Sequence, residues 1–121
     1  MTMGVQMSED VLDGEFNQAS ATVATDMAEN AVAAAEFLKA LSHEGRLMIL
    51  CHLVSGEKTV TALEDLLGAR QAAVSQQLAR LRADGLVTAR RDGKAIHYSI
   101  RDPKAAAIVK VVHDLFCATT C

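Results

Sequence analysis

Two groups of residues in this chain have types and spacings that could do chemistry. The first is a set of soft ligands. Cys51, Cys117 and Cys121 are its only cysteines. His113, Cys117 and Cys121 fall at i, i+4 and i+8, on one face of any helix that spans them. With Cys51 added they would form a sulfur and nitrogen site suited to zinc, cadmium or trivalent arsenic. The same thiols could instead be redox-active, or inert and packed, as unpaired cysteines often are. Three thiols in a chain with no signal peptide argue against a structural disulfide framework. No Cys-x-x-Cys motif or nucleophile loop supports a thiol enzyme, so no catalytic residue is assigned.

The second group is polar and basic. Gln71, Ser75, Gln76, Gln77 and Arg80 crowd one short stretch, and Arg90, Arg91 and Lys94 follow it. A glutamine amide can pair bidentately with adenine and an arginine with guanine in the major groove. Basic residues on a hairpin are suited to phosphates, which position a protein more than they specify sequence.

The elements that must hold these residues are legible from period and punctuation. A helix is expected from Met27 to about Leu41, capped by Asp26, with Ala31, Ala34, Ala35, Leu38 and Leu41 on one side. A second runs from about Glu44 to Val54 after Ser42 and lines up Leu47, Leu50, Cys51 and Val54. Ser55-Gly56-Glu57-Lys58 ends it. Thr61 and Glu64 read as a capping box for a short third helix, which turns Leu63, Leu66 and Leu67 inward and stops at Gly68. A fourth helix, from about Gln71 to Ala83, buries Val74, Leu78 and Leu81. Two short helices across a tight glycine turn make a helix-turn-helix. Leu86 to Arg91 and Ala95 to Ile100 read as strands around Asp92-Gly93, a hairpin-turn signal. Asp102-Pro103 opens a last helix to about Ala118, which presents Ile108, Val111, Val112, Leu115 and Phe116. The fold class is mainly α with a small β-hairpin, in the order α-α-α-α-β-β-α, a winged helix-turn-helix. Residues 1–24 are expected to be a disordered acidic lead-in and residues 25–121 the DNA-binding and dimerisation domain.

Charge agrees with this division. The 121 residues have a formal net charge of −3, which on its face speaks against a nucleic-acid partner. Yet residues 1–38 hold seven acids and no Lys or Arg. From Arg70 to Lys104 there are eight basic residues against three acidic. Such asymmetry points to a nucleic-acid surface in the basic half. The absence of a long apolar run excludes a membrane span, and a cytoplasmic location is expected.

Four stretches carry a family resemblance: Ala40-Leu41-Ser42-His43-Glu44-Gly45-Arg46-Leu47-Met48-Ile49-Leu50, Gln71-Ala72-Ala73-Val74-Ser75-Gln76-Gln77-Leu78, Leu81-Arg82-Ala83-Asp84-Gly85-Leu86-Val87 and Arg90-Arg91-Asp92-Gly93-Lys94. Over residues 30–117 the chain resembles the ArsR/SmtB family of bacterial transcriptional repressors. The resemblance implies a homodimer joined by the first and last helices, an inverted-repeat operator and an inducer that lowers DNA affinity. The third helix lacks the Cys-x-Cys of arsenic-type members. Only Asp102 and His113 remain of the zinc-type ligands on the last helix, so neither familiar metal site is expected. The placing of Cys51 and Cys117 resembles the sulfide-responsive BigR/SqrR branch. There a thiol pair is bridged by persulfides or polysulfides and the operator is released. The resemblance therefore implies Cys51 and Cys117 as redox-sensing residues, with no cofactor. The metal-responsive set of Cys51, His113, Cys117 and Cys121 stands as the alternative.

Overall fold

The computed structural model describes the backbone of residues 14–117 and the side chains from Thr22 to Cys117. The elements are α1 (Gly14–Leu41), α2 (Glu44–Leu53), β1 (Lys58–Thr59), α3 (Val60–Leu67), α4 (Gln71–Ala83), β2 (Val87–Asp92), β3 (Ala95–Ile100) and α5 (Pro103–Phe116). The chain divides between Phe37 and Leu38 into two compact units. The first contains most of α1; the second holds everything from the end of α1 onward.

α1 starts at Gly14 rather than Met27. Residues 14–24, expected to be unstructured, are helical; residues 1–13 lie outside the described residues. Residues 15–36 contain neither Gly nor Pro and are rich in Ala, so no local signal stops the helix from propagating backward. Asp26 consequently caps nothing. It sits mid-helix, and its carbonyl accepts from Asn30 Nδ2 at 2.9 Å.

In the second unit the expected helices form, with some caps reassigned. His43, not Ser42, caps α2: its Nδ1 accepts from the Gly45 N–H at 3.0 Å. The Ser42 hydroxyl turns back to the Lys39 carbonyl. Thr59, not Thr61, caps α3 by accepting from the Ala62 N–H at 3.1 Å. Gly68 ends α3 at φ 62°, a left-handed position that a side chain would strain. At α5, Asp102 accepts from the Lys104 N–H at 2.9 Å and Pro103 opens the helix, as expected. α5 ends at Phe116, with Cys117 at its C-cap; Ala118, its expected end, lies outside the described residues.

The core is formed by Ile49, Leu50 and Leu53 of α2, Leu63 of α3, Val74, Leu78 and Leu81 of α4, Leu86, Val87 of β2, and Ala105 and Val109 of α5. α2 is turned relative to the expected stripe: Leu47, Cys51 and Val54 are only half-buried. It packs against α3, α4, α5 and β3 at once, so the buried arc is set by its neighbours and not by its own period. Leu66 is exposed, contrary to expectation. On α5, Ile108 and Val112 are half-buried, but Val111, Leu115 and Phe116 face outward, the last two at 75% and 80% exposure.

The hairpin is joined by a third strand. The antiparallel sheet has the order β1-β3-β2. β1 pairs Lys58 with Tyr98 and Thr59 with His97, while β2 pairs Val87 with Ile100 and Asp92 with Ala95. The hairpin loop is therefore Gly93-Lys94, one residue beyond the expected Asp92-Gly93, and Gly93 takes the positive φ of 65° that a primed turn requires. β1 covers an otherwise open edge of β3. Two residues are too few to leave a period in the sequence, which explains why this strand was not anticipated.

Candidate functional site

α4 exposes one polar face. Gln71, Gln76 and Arg80 are exposed, and Ser75 and Gln77 are half-buried. Arg70 occupies the N-cap position and makes no side-chain cap. The first-turn amides thus point outward at the positive end of the helix dipole, an arrangement suited to an anionic partner.

Gln77 has a different setting from its neighbours. Its Oε1 accepts from Arg46 Nη1 at 3.3 Å, and the same guanidinium donates through Nε to the Ala40 carbonyl at 2.7 Å. Gln77 Nε2 also lies 3.5 Å from His43 Nε2. A neutral imidazole offers one acceptor, and His43 Nδ1 already accepts from Gly45. The 3.5 Å approach is therefore a contact, and the Arg46 bond holds the amide. Gln77 ties α4 to the start of α2, whereas Gln71 and Gln76 keep their amides at the surface.

The wing divides its cations in the same way. Arg91 and Lys94 are exposed and make no ion pair among the described residues. Arg90 is claimed by Glu57, the residue before β1: its Nη2 and Nε both bond the carboxylate, the latter at 3.3 Å. That hydrogen bonding holds the Glu57 carboxyl below its ordinary value and raises the Arg90 guanidinium. His97 Nδ1 lies 3.8 Å from the same carboxylate, because β3 sets His97 opposite both Arg90 and Thr59. Arg80 is likewise paired with Asp84, at 3.1 Å, one turn along α4. Glu57, Arg46 and His43 were missed by sequence reasoning. Their partners are 33, 31 and 34 residues away, and no local pattern encodes such pairings.

The thiols lie apart from this face. Cys51 is half-buried on α2 and lines an open cavity of about 330 Å³ with Val54, Val109, Lys110, His113 and Asp114. Cys117 is exposed at the end of α5, its N–H donating to the His113 carbonyl at 2.8 Å. Burial pushes the Cys51 thiol up, and negative charge at Cys117 pushes it further. That second effect places Cys117 within electrostatic reach of Cys51. Cys51 lies on α2 and Cys117 at the end of α5, two helices that pack against each other. Both are thiols, with no disulfide between them. Of the alternative metal set, Cys121 lies outside the described residues. Among the described residues, no three His, Cys, Asp or Glu side chains converge to hold a metal ion. No described helix is long and apolar enough to cross a membrane.

Comparison with known proteins agrees with this geometry. Residues 43–89, from the α2 cap into β2, match the family described as bacterial regulatory protein, arsR family. The chain is 45% identical over 93 residues to the biofilm growth-associated repressor of Xylella fastidiosa (strain 9a5c), spanning 77% of this chain and 82% of that protein. It is 38% identical over 92 residues to the transcriptional activator HlyU of Vibrio cholerae, spanning 76% and 85%. The crystal structure of the transcriptional repressor BigR from Xylella fastidiosa superposes with a TM-score of 0.75 at 44% identity, covering 78% of this chain and 97% of that one. With the winged helix, the outward amides of α4 and the basic hairpin all present, the chain belongs to the arsR family of bacterial regulatory proteins and is a DNA-binding transcriptional regulator.

Proposed function

We propose that this chain is a cytoplasmic repressor that binds an inverted-repeat operator as a homodimer and lets go when sulfane sulfur bridges Cys51 to Cys117. The observation that supports it is the packing of α2, which carries Cys51, against α5, which ends at Cys117, with the Cys51 thiol raised in part by the charge of Cys117. α4 would enter the major groove with Gln71, Ser75, Gln76 and Arg80 toward the bases. Gln77 belongs to the same helix face but mainly fixes its angle. Arg91 and Lys94 would meet the flanking phosphates, while Glu57 holds Arg90 back from them. The exposed Val111, Leu115 and Phe116 of α5 are apolar side chains that a partner subunit would cover.

The chemistry balances. The Cys117 thiolate attacks the inner sulfur of a trisulfide, R–S–S–S–R, breaks one S–S bond and expels a thiolate. Cys51, as its thiolate, attacks the same sulfur and expels the second. The protein is left with Cys51–S–S–S–Cys117, and the polysulfide is reduced by two electrons to two thiolates. An inserted sulfur lengthens the link, so the pair need not meet the close spacing of a disulfide, whose Cα atoms lie within about 7 Å.

A bridge to Cys51 pulls on α2, whose first turn carries the Arg46 that holds Gln77 of α4. Strain at the thiols thus has a route to the groove-reading helix. An ordinary allosteric coupling of about 1–3 kcal/mol would lower operator affinity roughly 5–150-fold.

The test is an operator-binding assay on reduced protein, and on protein treated with polysulfide, peroxide, zinc or trivalent arsenic. Mass spectrometry follows Cys51 and Cys117 in each arm. A Cys51–Cys117 polysulfide link accompanied by release supports the proposal. Undiminished operator binding by fully bridged protein would refute it, and release by a metal with both thiols unbridged would favour the metal-responsive alternative.

A further inference from the structure

Three helices meet at one side chain. Arg46, half-buried in the first turn of α2, divides its guanidinium between two acceptors. Nε donates to the Ala40 carbonyl at 2.7 Å and Nη1 to Gln77 Oε1 at 3.3 Å. Ala40 is buried in the last turn of α1, where carbonyls have no intrahelical partner. The carbonyls of Lys39 and Leu41 accept from the backbone N–H groups of Ser42 and His43; that of Ala40 accepts from Arg46. Gly45 lets the parts approach: a Cβ there would stand 3.2 Å from the His43 ring and 3.6 Å from Gln77 Cγ. One guanidinium thus ties the end of α1 to the middle of α4.

Val74, Leu78 and Leu81 hold α4 on the core, but apolar packing has no direction. It tolerates a small roll of the helix about its axis. Amide readout of a base edge does not, because a bidentate pair needs both of its hydrogen bonds aligned. Gln71 and Gln76 are exposed on the same helix, so a directional bond at Gln77 governs where their amides point.

We infer that Arg46 is a positioning residue for DNA reading: its bond to Gln77 fixes the roll of α4, and its bond to Ala40 refers that roll to the end of α1. The inference rests on α4 as the groove-reading helix and is independent of the thiols. Arg46 acts by geometry, not by meeting a phosphate. Its planar fork reaches both acceptors at once, which a single ammonium on a flexible lysine stem does not reproduce.

The experiment uses the full chain and two probes: a duplex selected from a random pool by the unmodified protein, and a scrambled duplex of the same length. Anisotropy across a salt series is recorded for Arg46→Lys, Arg46→Met, Gln77→Ala and the Arg46→Lys, Gln77→Ala double variant. Both Arg46 variants should bind the selected duplex about five- to tenfold more weakly, the effect of one ordinary hydrogen bond. Their affinity for the scrambled duplex and their salt slopes should not change. Adding Arg46→Lys to Gln77→Ala should lower the preference little further, because the two residues act as a unit. Urea denaturation checks that each variant is folded; Arg46→Lys, the milder change, decides the matter if Arg46→Met is not. Full retention of preference by Arg46→Lys, or full additivity with Gln77→Ala, would overturn the inference. So would a flatter salt slope in Arg46→Met with equal weakening on both duplexes, which marks a phosphate contact. Failure of the unmodified chain to select any duplex would instead remove α4 as the reader, and this inference with it.

Discussion

In the proposed operator complex Glu57 withholds a cation from DNA, and a salt titration can count it. Arg90 and Arg91 are adjacent in β2, yet Glu57 claims Arg90 and leaves Arg91 exposed without an ion pair. Each phosphate neutralised by a protein cation steepens the plot of log affinity against log salt by about 0.9. In the proposed dimer every substitution acts twice. Arg91→Gln should flatten the slope by about 1.8 and weaken operator and random duplex alike. Glu57→Gln should do the reverse: it frees two copies of Arg90 and steepens the slope by as much as about 1.8, with tighter binding to both DNAs. Gln76→Ala should leave the slope unchanged and reduce only the preference for operator. Fluorescence anisotropy across a salt series, on operator and on random duplex, reads all three. An unchanged slope in Arg91→Gln would mean that the wing does not meet the backbone. A slope that does not steepen in Glu57→Gln would mean that the carboxylate yields Arg90 to DNA unaided.

Three further outcomes are expected. Leu78 is fully buried at the junction of α4 with the core, so Leu78→Ala should cost about 2–5 kcal/mol in urea denaturation; a loss under about 1 kcal/mol would contradict the packing described. Asp102 is held below its ordinary value, first by the Lys104 backbone N–H and then by the Lys104 side chain. A depressed carboxylate stabilises the fold above its unfolded value of about 3.9 and loses that contribution as pH falls through the lower folded value. Asp102→Ala should therefore cost about 1 kcal/mol at neutral pH, with the gap narrowing in acid, and a gap indifferent to acid would refute the cap assignment. Alkylation of Cys51 by iodoacetamide should titrate above an ordinary thiol, and Cys117→Ser should bring it only part of the way back, because burial is the larger cause. Complete reversal would mean that charge, not burial, governs the site.

The helix-turn-helix was legible because its signals are local. Val74, Leu78 and Leu81 recur at helical spacing, Gly68 supplies a left-handed stop, and Asp102-Pro103 starts a helix, all within a few residues of one another. The errors were local signals overruled or misplaced. Asp26 has the chemistry of a cap, but nothing before it breaks the helix. The stripe through Leu47, Cys51 and Val54 is a fair reading of α2 by itself, but four packing partners turned Ile49 and Leu53 inward instead.

The amino-acid order alone determined which segments coil, where the wing turns to within a residue, and that a basic, amide-bearing helix follows a tight turn. Period, caps and charge are properties of neighbouring residues. Only the tertiary structure decided that Gln77 anchors while Gln76 stays at the surface, that Glu57 claims Arg90, and that Cys51 feels the charge of Cys117. Those choices join residues more than thirty positions apart. Such pairings become visible only after the core has closed and brought distant side chains within bonding reach.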